Sequence, residues 1–296
     1  MADAFRLLRP LQWVKNGLVF LPFLFAVDVA WSVESAGDVP GLLLRLVILF
    51  LGFCALSSGV YVFNDLMDRQ ADREHPRKRH RPIASGRVGV PAAVALIAAL
   101  TTAGLAAAWF VGMPLLLVSG VYLAINAVYS LGGKRMVLLD VFSVASGYVI
   151  RAVSGALAIE VDPSPWLYTT TGAGALFIVL GRRYAEVRLG GDSADLQRRV
   201  LSRYSGPYIS QLLNISATAA LLSYTLYTIE AENLPDNNAM LFTLPLVAVG
   251  LFRYLYLLNT SSHAEAPEQL MVRDIPLLAC IVGWLAVSAA VLLLNG

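Results

Sequence analysis

Four oxygen-bearing side chains, Asn64, Asp65, Asp68 and Asp72, crowd into one short stretch at the end of a long apolar run. A basic segment, Arg77-Lys78-Arg79-His80-Arg81, follows almost at once. On a continuing helix Asn64, Asp68 and Asp72 stand at i, i+4 and i+8, and Asp65 joins them through its i+3 and i+7 relation to Asp68 and Asp72. Carboxylates packed this closely repel one another unless positive charge sits among them. Mg²⁺ suits that role, because it binds through one or two carboxylates and keeps waters and phosphate oxygens as its other ligands. The basic segment, with Lys78, Arg79 and Arg81 as contacts, would hold the phosphate charge that the ion does not reach. The pattern predicts a trap for a diphosphate: Mg²⁺ on Asn64, Asp65, Asp68 and Asp72, with Asn64, Asp68 and Asp72 as the catalytic set. A merely solvated helix end is the poorer account, since acids at a helix C-terminus oppose the helix dipole.

Three further polar clusters carry chemistry of the same kind. Arg9-Pro10-Leu11-Gln12-Trp13-Val14-Lys15-Asn16 precedes the first apolar run, so Lys15 and Asn16 are expected to meet a phosphate, and Trp13 to anchor at the interface. Tyr129-Ser130-Leu131-Gly132-Gly133-Lys134-Arg135 is a short basic turn whose glycines expose backbone amides to an anion, with Tyr129, Lys134 and Arg135 as contacts. Gly181-Arg182-Arg183-Tyr184-Ala185-Glu186-Val187-Arg188 mixes charges. Glu186 is its weaker metal candidate and Arg182 and Arg188 its substrate contacts, with a helix-end salt bridge as the alternative. Arg151 lies inside an apolar run, where an arginine costs about 2.5–3.5 kcal/mol on insertion scales, so it is expected to face a polar cavity as a substrate contact, with a structural ion pair as the alternative. His75 and His80 make no convincing zinc pair, and Cys54 and Cys280 read as core residues.

The elements that must position these groups are membrane helices. The chain of 296 residues is 57% hydrophobic and 14% charged, too apolar for an ordinary soluble domain. Nine spans are expected, near 17–35, 42–64, 91–111, 114–131, 138–158, 166–184, 209–229, 240–258 and 275–294. The basic start followed by an apolar run imitates a secretory signal, but the many later spans favour an uncleaved first helix. All lysines and arginines except Arg45, Arg151 and Arg253 fall in alternate connections, and the opposite connections carry Glu34, Asp38, Glu160, Asp162, Glu230, Glu232 and Asp236. By the positive-inside rule the N-terminus is cytoplasmic and, with nine spans, the C-terminus outside. The expected fold is therefore all-α and polytopic, one transmembrane domain over 1–296 in the cell (plasma) membrane. Its chemistry would be concentrated in cytoplasmic loops at about 65–90, 130–137 and 182–208. Asp28, in the outer half of the first expected span, has no evident partner. An ion-path transporter fits poorly, because transporter sites lie near the bilayer midplane and these acids cluster at one surface. A structural scaffold gives no reason for acids beside bases.

The phrase Asn64-Asp65-x-x-Asp68-x-x-x-Asp72, followed by Lys78-Arg79-His80-Arg81-Pro82-Ile83-Ala84-Ser85-Gly86 and by the Tyr-x₄-Lys-Arg turn, resembles the UbiA superfamily of membrane prenyltransferases over nearly the whole chain. The resemblance implies nine helices around a central cavity capped by cytoplasmic loops, and Mg²⁺ as the cofactor that binds a diphosphate. One departure stands out: members usually carry a second aspartate-rich motif after the sixth span, and here Arg182-Arg183-Tyr184-Ala185-Glu186 occupies that place. With the Arg9 to Asn16 phrase, this is similar to a distinct actinobacterial branch acting on decaprenyl phosphate. That branch implies 5-phosphoribosyl 1-diphosphate (PRPP) as donor, a polyprenyl phosphate as acceptor, and a product that feeds cell-wall arabinan (arabinogalactan) synthesis. The alternative within the superfamily is transfer of a prenyl group from a prenyl diphosphate to an aromatic or porphyrin acceptor. No nucleic-acid partner is expected, and a homo-oligomer is compatible with the reading.

Overall fold

The computed structural model describes residues 2–32, 36–76, 78–190, 200, 203–235, 237–261 and 267–295. Arg77 and most of 191–202, within two of the expected loops, lie outside the described residues. The regular structure of the described residues is helical, apart from one isolated bridge between Val27 and Trp31.

Seven helical stretches are long and apolar enough to cross a membrane. They are α3 (Val39–Met67), α5 (Val90–Val111), α6 (Met113–Leu131), α7 (Leu139–Ala158), α9 (Gly206–Glu230), the stretch Ala239–Thr260 that contains α10 (Leu244–Thr260), and, after the short α11 (Pro267–Arg273), α12 (Ile275–Asn295). An eighth long helix, α8 (Pro165–Gly190), packs against α7 and α9. Large apolar side chains such as Trp109, Phe110, Leu117, Ile215 and Phe252 point outward, as an exterior facing lipid tails requires.

The first expected span differs from the sequence reading. After α1 (Ala2–Leu8) the chain turns at Arg9, whose φ is 53°, and runs as a 3₁₀ helix over Pro10–Phe20 before the short α2 (Leu21–Leu24). At about 2.0 Å per residue a 3₁₀ helix covers distance faster than an α-helix, so this segment is longer end to end than an α-helix of the same residue count. Asp28 is thereby accounted for. It lies beyond that piece in an exposed turn at φ 61°, its amide donating to the Trp31 carbonyl at 2.8 Å.

The two largest apolar cores of the bundle both include α7. Val141 and Ala145 pack with Phe177, Leu180, Ile209, Leu213 and Tyr254 from α8, α9 and α10. Ala158 packs with Val19, Leu46, Leu49, Phe53 and Leu115 from the 3₁₀ segment, α3 and α6. At Gly155 a Cβ would lie 2.2 Å from the Val19 carbonyl oxygen, so only glycine admits the 3₁₀ segment this close to α7.

Candidate active site

The polar ends of α3, α6, α7 and α8 supply the charged groups. α3 stops at Met67, Asp68 forms the joint at φ −88° and ψ 4°, and α4 (Arg69–Glu74) resumes beyond it. The amides of Asp68 and Asp72 still reach back to the carbonyls of Asn64 and Asp68, so the four-residue spacing survives an interruption that continuous-helix reasoning did not foresee. The side chains do not form one bare acidic face. Asp65 accepts from Arg9 at 2.6 Å and from Arg81 at 3.0 Å, and the same Arg81 nitrogen donates to Asp72 at 2.8 Å. Asp68 pairs with Lys134, and Asn64 accepts from the Ser130 hydroxyl, which also turns to the Asn126 carbonyl. Asp65 and Asp72 are almost fully buried while Asn64 and Asp68 are more open. Burial pushes the Asp72 carboxyl above its ordinary value, with Arg81 opposing the shift.

Local packing sets these partners. Ile83 is buried with Leu7, Val62 and Ala93, and Arg73 donates to the Ala84 carbonyl at 3.0 Å, so the loop carrying Arg81 folds back over the end of α3. Lys134 sits in a 3₁₀ turn, Gly133–Arg135, where a Cβ on Gly133 would stand 3.1 Å from the Val128 carbonyl oxygen. Glycine there serves close packing of the turn. Arg79 and Arg135 are exposed beside this cluster, and the Lys78 amide donates to His75 at 3.3 Å.

Among the described residues, no three His, Cys, Asp or Glu side chains stand as a ready metal cage. The donor chemistry nevertheless fits a hard divalent ion. Asp65 and Asp72 converge on a single guanidinium nitrogen, so their oxygens already share one positive centre, and Asn64 and Asp68 add further hard oxygens. Arg9 and Arg81, each about a third exposed, reach these acids from a turn and a loop rather than from a packed helix.

Glu186 is placed differently. Its two oxygens accept from Arg182 at 3.1 Å and from Arg183, and Arg183 also donates to Asp140 at 2.8 Å. Arg183 is 2% exposed and Asp140 fully buried, so this pairing has no room to open. Tyr204 completes the group by donating to Asp140 at 2.7 Å while accepting from the Leu138 amide at 2.8 Å. Burial holds the Tyr204 phenol well above its usual range, and Asp140 adds to the shift by favouring the donor form. Tyr129 lies within electrostatic reach of Arg183. The salt-bridge alternative for this motif is thus what the geometry displays, and the arginines and Glu186 lie on α8 itself, before the loop begins. Arg188 is not brought to the acids: it donates to the carbonyls of Asn259 and Ser261 at the end of α10.

The N-terminal phrase also departs from expectation. Trp13 donates to Ser58 at 3.1 Å and thus docks inward on α3. Asn16 is fully buried, donating to Cys54 at 3.2 Å and Ser57 at 3.4 Å, so it sits behind the site surface. Arg151 donates to Asn16 at 2.7 Å, to the Gly147 carbonyl, and to the Tyr122 hydroxyl at 3.2 Å. Its guanidinium lies over the rings of Phe53 and Tyr122, at 5.6 and 5.1 Å. Arg151 is thus buried, and none of the ion pairs among the described residues includes it. Lys15 donates to Gln12 at 2.7 Å and stands 6.0 Å from the Tyr148 ring centre.

Beneath the polar end, a cavity of about 1080 Å³ opens between the 3₁₀ segment, α7, α8, α10 and α12. Its walls are mostly apolar or aromatic, with Phe25, Tyr148, Trp166, Phe177, Tyr254 and Trp284 among them. Sequence reasoning missed Asp140, Tyr204, Ser130 and the role of Arg9 at Asp65. The lone acid Asp140, opening an otherwise apolar span, was the one signal available.

Comparison with known proteins gives this geometry its setting. Decaprenyl-phosphate phosphoribosyltransferase from Mycobacterium tuberculosis is 34% identical over 292 residues, covering 98% of this chain and 95% of that protein. The protein of the same name from Corynebacterium glutamicum is 32% identical over 282 residues, covering 94% and 82%. A solved UbiA homologue from Archaeoglobus fulgidus, bound to GPP and Mg²⁺, shares the fold with a TM-score of 0.72 at 18% identity, over 98% of this chain and 99% of that one. The UbiA prenyltransferase family itself matches residues 19–273, and on that match, together with the near-complete relatives, the chain belongs to the UbiA family.

Proposed function

We propose that this protein transfers the 5-phosphoribosyl group of PRPP to the phosphate of a polyprenyl phosphate, decaprenyl phosphate being the acceptor in the relatives' name, and releases diphosphate. The observation that carries the reading is likeness along almost the whole of both chains to proteins so named. The site supports it: acids and cations meet at one polar end, above an apolar cavity able to take a hydrocarbon chain.

Asp68 and Asp72, with Asn64 and Asp65, would hold Mg²⁺, which when bound supplies positive charge to the diphosphate of the donor. Lys134 and Arg135, with Tyr129 beside them, lie where they can neutralise the departing diphosphate. Lys78, Arg79, Arg81 and Arg182 would meet the remaining phosphate charge. An oxygen of the lipid phosphate forms the new bond to C1 while the bond from C1 to the diphosphate oxygen breaks, its electron pair leaving with the diphosphate. The lipid phosphate is already anionic near pH 7, so the step needs no general base. The lipid oxygen would approach C1 on the face opposite the departing diphosphate.

The membrane setting belongs to the same proposal. The 3₁₀–α2 piece and α8, added to the seven apolar stretches, make nine crossings. The lysine- and arginine-rich end faces the cytoplasm, where a water-soluble donor is met, and the C-terminus lies outside the plasma membrane.

The test is to incubate purified protein with labelled PRPP, polyprenyl phosphate and Mg²⁺ and to follow lipid-soluble label. Label is expected in the lipid, lost with a chelator and regained with Mg²⁺. Asp68→Ala and Asp72→Ala are expected to abolish transfer while the protein still inserts; retained activity would remove the mechanism. Product from a prenyl diphosphate and an aromatic acceptor, with none from PRPP, would favour the prenyl-transfer alternative.

A further inference from the structure

The sequence leaves the cations undivided between the donor and the lipid acceptor. The structure separates one of them. Of the described residues that line the large cavity, Lys15 is the one basic side chain. The carboxylates of that lining, Asp162, Glu230 and Glu232, lie at or just beyond the C-terminal ends of α7 and α9, whereas the acid motif and its bases gather at the opposite end of the bundle. The cavity thus has a cation toward the chemistry and acids at its far mouth.

Depth supports the distinction. Arg9 meets Asp65 at the polar end, and at about 2.0 Å per residue the 3₁₀ helix carries Lys15 roughly 12 Å further in. Lys15 therefore stands below the acids, at the top of the apolar walls. PRPP is charged and hydroxylated throughout and has no part suited to such walls. A polyprenyl phosphate has one anionic group on a long hydrocarbon chain, which matches one cation above an apolar cavity.

A second charge reinforces the first. Arg151 is 6% exposed, and none of the ion pairs among the described residues includes it. It binds Asn16, the next residue after Lys15, and the carbonyl of Gly147, the residue before the Tyr148 that faces Lys15. A cation held at this depth is costly, and its positive field is poorly screened. We propose that Lys15 receives the phosphate of the lipid acceptor, and that Arg151, acting through Asn16, is the positioning residue that fixes the 3₁₀ segment presenting it. This assignment rests on the transfer reaction proposed above and divides its two substrates between two levels of one site.

The experiment uses the full-length protein in nanodiscs, with Lys15→Met, Lys15→Arg and Arg151→Lys. Two binding measurements are made without turnover: labelled PRPP with Mg²⁺, and competition between polyprenyl phosphate and the uncharged polyprenol. Lys15→Met is expected to erase the preference for the phosphate over the alcohol and to raise the acceptor KM at least about tenfold, the effect of about 1.4 kcal/mol. PRPP binding should stay within about twofold of wild type, and Lys15→Arg should restore the preference. Arg151→Lys keeps the charge and loses the fork; it should raise the acceptor KM while kcat at saturating acceptor holds. Parallel loss of PRPP binding in Lys15→Met, or an unchanged acceptor KM, overturns the assignment of Lys15. An unchanged acceptor KM in Arg151→Lys overturns the positioning role. A wild-type protein that prefers the lipid phosphate through Lys15 yet transfers nothing from PRPP supports the Lys15 site and sinks the phosphoribosyl reading.

Discussion

Asp140 and Arg183 form the most buried ion pair of the described residues, and their geometry decides what a substitution does. Both charges are out of water, Arg183 is shared with Glu186, and Asp140 is capped by the Tyr204 hydroxyl. Removing one partner strands the other in a low dielectric, a loss of about 3–5 kcal/mol. Asp140→Asn is therefore expected to lower the thermal midpoint in detergent far more than Arg79→Gln, whose side chain is exposed. Equal midpoints would show that the pair is not structural. The same argument separates Glu186 from the acids of α3 and α4. Its partner Arg183 has nowhere to go, whereas the partners of Asp65 and Asp68 come from loops and turns. Glu186→Gln should depress stability and leave the Mg²⁺ concentration for half-maximal transfer unchanged; a raised Mg²⁺ requirement would restore Glu186 as a ligand. The acid motif could be read from residue types and spacing alone, because repelling carboxylates at a helix end need a reason. Which base meets which acid could not, since Arg9, Arg81 and Lys134 come from three separate parts of the chain.

At the level of elements, the 3₁₀ segment is the piece on which the site depends and the one that hydropathy misplaces. A window scan registers apolar residues and is blind to rise per residue, so it set the first span at 17–35 although the helix begins at Pro10. The segment lies against α3 through Trp13 and Asn16 and against α7 through Val19. Gly155→Ala would put a methyl group 2.2 Å from the Val19 carbonyl oxygen, on backbone that cannot rotate away. Overpacking of this kind costs about 1–3 kcal/mol. The expected outcome is a lower thermal midpoint together with a raised acceptor KM, because Lys15 moves with the segment. An unaltered KM would mean that the segment is not the support of the acceptor site.

Taken whole, the molecule is a bundle whose outside is apolar and whose charged groups collect at its ends, which is the arrangement a bilayer imposes. If the basic end faces the cytoplasm, a cysteine at Arg135 should react with an impermeant thiol reagent only after cells are opened, and a cysteine at Glu160 should react in intact cells. The reverse pattern would invert the proposed orientation. The sequence alone determined the membrane class, the helical content and the acid motif, because each follows from local composition and spacing. It also carried the likeness to UbiA proteins, since that likeness resides in short phrases. The tertiary structure alone decided that Arg81 joins Asp65 to Asp72, that Asp140 and Glu186 hold Arg183 while Tyr204 caps Asp140, and that Lys15 tops an apolar cavity. Those facts depend on segments far apart in the chain being pressed together by the apolar cores, the small one around Ile83 included, and no local pattern encodes such distances.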